Sequence, residues 1–226
     1  MRQTNLARET AEYVRAREEL RSAEIKLMRH RERVAEQRRQ LPPGPVVDDY
    51  LFEEGPADLG AGDEPVREVR LGELLTAPDR DLVVYHLMFG KAQTEPCPMC
   101  TMWVDGFNGI AHHVDRNVDL AVVAAADLPA LREHARNRGW TRLRLLSAAK
   151  NTFKRDLASE DERGNQDSAV SVFTRDGDGA VRHAYSVHPR LSDEIGERGI
   201  DLLTPVWHLL DLTSRGRGDW YPTLDY

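Results

Sequence analysis

The chain has 226 residues, with 31 Lys and Arg against 38 Asp and Glu for a formal net charge of −7. That length allows one well-buried domain with an appendage. The acidic balance gives no electrostatic footprint for nucleic acid, and no apolar run approaches the roughly 18 residues of a membrane span, so neither partner is expected. The first twenty residues hold no continuous apolar stretch and no small-residue cleavage site, so the compartment reads as cytoplasmic.

Residues 1–40 hold 11 Lys and Arg against 7 Asp and Glu, a balance of +4 that leaves 20 against 31, or −11, for the remainder. From Thr4 to about Gln40 there is neither Pro nor Gly, and helix formers dominate, which predicts one helix of roughly 54 Å. Leu6, Tyr13, Leu20, Leu27, Val34 and Leu41 recur every seven residues, whereas Glu9, Ala16, Ala23, His30 and Gln37 stand three positions further on. That is half a heptad seam, suited either to one-sided packing on the body or to a weak contact with a second helix. Since so narrow a stripe supports an isolated helix poorly, self-association is expected, with a homodimer as the simplest symmetric outcome. Pro42, Pro43 and Pro45 stop the helix. The organisation read from this is a helical extension over residues 1–41 and a main domain over 42–226.

Two short strands are predicted at Tyr50–Phe52 and Val66–Val69, with a helical turn at Leu71–Leu75. The apolar run over residues 81–90, closed by Gly90, has the pattern of a central strand buried on both faces. A helix over Cys97–His113 follows, then a second buried strand over residues 119–126 and a helix over Leu128–Asn137. After a less regular middle, residues 169–187 alternate around an Asp-Gly-Asp-Gly turn and predict an antiparallel hairpin. Ile200–Leu212 would be the closing helix, with Pro205 in or near its first turn. A βαβ half followed by ββα, with a cysteine pair at the first strand-to-helix junction, predicts a thioredoxin-like α/β fold: a three-layer arrangement with a mixed central sheet, an N-terminal β-hairpin and the long N-terminal helix.

Cys97-Pro98-Met99-Cys100 is the chemical centre of this reading. Two cysteines three positions apart in a reducing compartment point to catalysis or metal binding rather than to a structural staple. The partial positive charge and open N–H groups of a helix N-terminus stabilise a thiolate, and Pro98 suits the first helical position. Cys97 is the expected nucleophile and Cys100, one turn inside, the expected resolving thiol. Their substrate would be a disulfide or thiol of unknown identity.

A metal site is the competing reading, with His86 as a third ligand for a soft ion such as copper(I), or zinc. No second cysteine pair exists, and His112 and His113 lie about four turns along the helix, some 22 Å away. His86 is expected instead to be a hydrogen-bonded core residue, and His183, His188 and His208 to be structural or surface residues. Asp105 reads as a solvated carboxylate with a possible influence on a cysteine proton. The four tryptophans form no spaced motif, and no phosphate loop is present, so no cofactor is expected. A non-catalytic interaction module on the same fold is the third alternative.

The chain resembles a bacterial family, domain of unknown function 899, over nearly its whole length. The resemblance rests on Arg38-Arg39-Gln40-Leu41-Pro42, VVYHLMFG at 83–90, CPMCTMWVDGFNG at 97–109, Gly139-Trp140, SVFTRDGDG at 171–179 and HLLDLTSRGRGD at 208–219. It implies a thioredoxin-like fold and a dithiol-disulfide oxidoreductase activity, with Cys97 and Cys100 as the reactive residues. Glu95-Pro96 stands where thioredoxins carry a Trp, and Ser168-Ala169 where they carry a cis-proline, which implies a restricted or different substrate. An N-terminal hairpin before the central strand is also similar to peroxiredoxins and to thioredoxin-fold copper-delivery proteins.

Overall fold

The computed structural model describes residues 7–194, 196 and 198–225. Two compact units are present, Met1–Pro42 and Pro43–Tyr226.

The first unit is built on one helix, α1 (Ala11–Arg39). It begins later than the composition suggested because Thr10 caps it, the hydroxyl accepting the Tyr13 N–H at 3.1 Å, which satisfies one of the open donors at a helix start. Ion pairs at helical spacing, Arg21 with Glu18 and Arg39 with Glu36, support the exposed faces weakly. Tyr13, Leu20 and Leu27 of the heptad stripe are all more than half exposed; Leu6 lies outside the described residues.

The second unit is a seven-stranded mixed sheet with strand order β2-β1-β5-β4-β3-β6-β7. At its centre β3 (Leu82–His86), β4 (Asp119–Ala124) and β5 (Arg144–Ser147) run parallel. The hairpin of β6 (Ala169–Arg175) and β7 (Val181–Val187) adds antiparallel to β3, and that of β1 (Leu51–Glu54) and β2 (Arg67–Arg70) adds antiparallel to β5. With α2 (Pro98–Val114) after β3 and α3 (Leu128–Arg138) after β4, this is the βαβαβ-plus-hairpin order of a thioredoxin-like fold.

Strand side chains alternate between faces, so a continuous apolar run feeds two cores at once. Tyr85 of β3 and Val122 and Ala124 of β4 pack with Trp103, Val104 and Leu131 of the helices. Leu82, Val84, Ala121 and Val123 enter the opposite core with Phe52, Phe153 and Phe173. Asp127 caps α3 by accepting the Ala130 N–H, and Gly139 closes it with φ of 68°, a left-handed conformation suited to glycine.

Three elements differ from the sequence-based expectation. The middle region contains β5 and a single helical turn, α4 (Phe153–Asp156). β3 leaves regular pairing at His86, four residues before Gly90, and frees the next peptides for the cysteine loop. The closing helix is divided into a 3-10 turn, Asp201–Leu203, and α5 (Pro205–Asp211). Thr204 between them is extended, φ −131° and ψ 139°, because a residue preceding proline is pushed out of the helical region.

Candidate active site

Cys97 is the N-cap of α2, and Pro98 occupies the first turn. The junction is fixed from the sheet side: the Cys97 N–H donates to the Met88 carbonyl at 3.0 Å, just past the end of β3. Cys97 is partly exposed and Cys100 is buried, both as free thiols. One turn of helix thus separates a reachable sulfur from a sheltered one.

Their protonation differs accordingly. The Cys97 thiol is drawn down to about 6, chiefly because the Cys100 thiol donates to it, helped by the backbone N–H groups of Cys100 and Met99 and by the Tyr221 hydroxyl, against the opposing effect of burial. Cys100 is pushed well above the ordinary thiol range, first by its hydrogen bond to Cys97 and then by burial and the Cys97 charge. In this pair the negative charge belongs on Cys97.

Tyr85, on β3, lies beneath the pair. Burial and the nearby Cys100 hold its hydroxyl well above the usual phenol range. The hydroxyl is close to Cys100 and Ser168, yet no contact reaches ordinary hydrogen-bond geometry. Ser168, which stands where thioredoxins carry the cis-proline, lies beside the cysteines as a wall of the same cavity.

That cavity has a volume of about 930 Å³ and is lined by both cysteines, the partly exposed Cys97 and the buried Cys100. Met88, Met99 and Trp103 form its inner side; the loop after α4, the segment after β7 and the C-terminal tail complete it. The tail is held by Arg217, which reaches Asp201 at 2.6 Å and Asp211 at 2.7 Å and lies over the Trp207 ring, 5.0 Å from its centroid. Trp207 and Trp220 meet edge to face at 5.6 Å. Gly216 and Gly218, with φ of 62° and 56°, allow the tight turns on either side of Arg217. This clasp carries Tyr221 to Cys97. None of Tyr85, Tyr221, Lys154, Trp207, Trp220 or Arg217 stands out in the sequence as a site residue; the SRGRGD run, with its glycines around an arginine, is the available signal.

His86 has both ring nitrogens engaged, by Ser159 Oγ at 2.7 Å and Ser171 Oγ at 2.9 Å, and its ring stacks on Phe153. It is a satisfied core residue and is not turned toward the cysteines as a ligand. Among the described residues no three His, Cys, Asp or Glu side chains come together as a metal-binding group. Asp105 corrects its sequence-based reading: its carboxylate accepts from Arg138 at 2.5 Å and from Trp140 Nε1 at 2.7 Å, tying α2 to the end of α3. His183 bonds Ser186 and faces Phe173.

A mixed sheet with a Cys-x-x-Cys pair on the helix that follows its central strand defines a thioredoxin-like protein. The chain belongs to the family described as "Bacterial protein of unknown function (DUF899)", whose pattern matches residues 2–226. No curated protein matches it. Among solved structures it is similar to reduced Prx3 of Vibrio vulnificus in complex with hydrogen peroxide, at 15% identity over 73% of this chain and 99% of that one, TM-score 0.49. It is also similar to the 2-Cys peroxiredoxin of Plasmodium vivax, at 12% identity over 71% and 91%, TM-score 0.49, and to Mycobacterium tuberculosis AhpC, at 16% identity over 80% and 99%, TM-score 0.48. No helix among the described residues is long and apolar enough to cross a membrane.

Proposed function

We propose that the chain is a dithiol-disulfide oxidoreductase in which Cys97 is the nucleophile and Cys100 the resolving thiol. The observation that carries the reading is the asymmetry of the pair, a thiolate-stabilised, reachable Cys97 beside a buried Cys100 held as a thiol. A nucleophile that ionises near neutral pH and a protonated partner within one turn are what thiol-disulfide exchange uses.

The Cys97 thiolate attacks one sulfur of a substrate disulfide. A bond forms from Cys97 Sγ to that sulfur, the substrate S–S bond breaks, and the second substrate sulfur leaves with the electron pair and takes a proton. Cys100 then loses its proton and attacks Cys97 Sγ, closing the Cys97–Cys100 disulfide and releasing the first substrate sulfur as a thiol. The substrate gains two electrons, the chain loses two, and a separate thiol reductant restores the dithiol. The cavity of about 930 Å³ is at the upper end of small-molecule pockets and admits either a small disulfide or a side chain presented by a peptide.

The test is a Cys100→Ser variant, which stops the sequence after the first bond. It should accumulate a mixed disulfide on Cys97 from a cell extract, recoverable by a reductant, whereas Cys97→Ser should accumulate none. Absence of any adduct on Cys97 in the Cys100→Ser protein overturns the reading.

A further inference from the structure

Lys154 is 1% exposed, and among the described residues its Nζ donates to a single acceptor, the Leu87 carbonyl, at 2.7 Å. An ammonium has three donors, and burying its charge is costly unless it is paired. Among the described residues it has no ion-pair partner within reach, and an apolar side chain of the same length would fill the space without that cost.

Its place in the fold is specific. Leu87 follows β3 directly; its carbonyl also accepts the Phe89 N–H at 2.9 Å, and the next carbonyl, that of Met88, holds the Cys97 N–H. The Met88 backbone N–H is also a donor to Cys100 sulfur. Lys154 and both cysteines therefore hang on two consecutive residues, Leu87 and Met88. Burial pulls the lysine down to about 8, while the charges of Cys100, Glu160 and Asp167, in that order, hold it up. Cys100 comes from α2 and the two carboxylates from the loop after α4. On β3, His86 is held toward its neutral form first by burial and then by the Lys154 charge.

We propose that Lys154 is the buried proton partner of Cys100, taking its proton as that thiol attacks the mixed disulfide on Cys97. This rests on the oxidoreductase reading of the site. Burial leaves a fraction of Lys154 as the free amine near neutral pH, and the Cys100 S–H gives its proton to that amine, leaving an ammonium beside a thiolate in a region of low dielectric, where each stabilises the other. The Cys100 sulfur forms its bond to Cys97 Sγ, the bond from Cys97 to the substrate sulfur breaks, and that sulfur leaves with the electron pair and takes a proton from solvent. Lys154 then sheds its proton to solvent, and the net change is that of the unassisted exchange.

The experiment measures the titration of each partner when the other is changed. In a Cys97→Ser background, where Cys100 is the sole thiol, Lys154→Met should raise the apparent pKa of Cys100 by about one unit, slowing its alkylation at pH 8 about tenfold. An unchanged profile in a folded Lys154→Met protein overturns the proposal. Should that variant fail to fold by circular dichroism, the side-chain nitrogen of Lys154 is titrated by NMR in the reduced chain and in Cys100→Ser. Its pKa should fall in Cys100→Ser, and the same value in both overturns the proposal. Reversible oxidation of the thiol pair is scored separately on the unsubstituted chain, so its loss with the Lys154–Cys100 coupling intact counts against the oxidoreductase reading alone.

Discussion

The backbone N–H of Cys97 donates to the carbonyl of Met88 at 3.0 Å, so the nucleophile's position is set by the last turn of chain leaving the central strand. This bond aims the first turn of α2, with the N–H groups of Met99 and Cys100, at the Cys97 sulfur. The reduced protein should therefore alkylate first at Cys97. A depressed thiol pKa places the thiolate in the majority at pH 7, and reactivity should fall as pH drops through about 6. Brief alkylation across pH with mass-spectrometric mapping reads both the order and the midpoint. Replacing Cys100 by Ala removes the largest contribution and should shift the midpoint upward.

Tyr221 should act on the same midpoint more weakly, since its hydroxyl is the last of the groups that favour the Cys97 thiolate. Tyr221→Phe should move the alkylation profile upward by less than Cys100→Ala does. Arg217→Met should do the same by releasing the tail, and it also breaks charged hydrogen bonds to Asp201 and Asp211. The contact to the buried Asp201 carboxylate carries most of the stabilisation, the exposed Asp211 being screened by solvent, and its loss should appear as a lower urea midpoint. A shifted urea midpoint with an unmoved alkylation profile would separate the clasp from the cysteine.

Asp105 tests the opposite case. Its carboxylate is bound by Arg138 and Trp140, so Asp105→Ala should lower stability by about 1–3 kcal/mol without moving the Cys97 profile. A shift in that profile would restore the alternative that Asp105 influences a cysteine proton.

Much of the second unit could be read from residue pattern because its central strands are buried on both faces and its hairpin carries Asp-Gly-Asp-Gly. The cysteine junction was legible for a local reason, Pro98 in a first turn behind a buried strand. β5 was not, because four residues beginning with Arg144 show no alternation, and that arginine pairs with Glu54, 90 positions away, at 2.7 Å. Lys154 sits in Phe-Lys-Arg-Asp, which reads as a surface turn, and nothing local shows that its amine ends on Leu87. The tail clasp was hidden for the same reason: Arg217 meets Asp201 and Trp207 only once the chain has folded back. The interrupted closing helix was available in principle, since Pro205 restricts Thr204, but the apolar pattern on both sides of it favoured one helix.

The heptad stripe of α1 leaves Leu20 and Leu27 each 59% exposed. Burying such side chains contributes about 1.5–3 kcal/mol apiece, which favours pairing of two α1 helices. The full chain should sediment as a dimer, and a Leu20→Glu, Leu27→Glu variant as a monomer. Equal mass for both proteins would remove the homodimer from the account.

The most direct measurement of the central claim is a thiol count by mass spectrometry on the full chain equilibrated across a series of dithiol-disulfide redox buffers. A redox dithiol should show a single two-electron transition: two alkylated cysteines at the reducing end, none at the oxidising end, and a Cys97–Cys100 disulfide with two hydrogens lost, reversed by added dithiol. If Cys97 and Cys100 remain thiols at the oxidising end, or each takes up an external thiol without joining the other, the pair does not act as a redox dithiol and the account is contradicted.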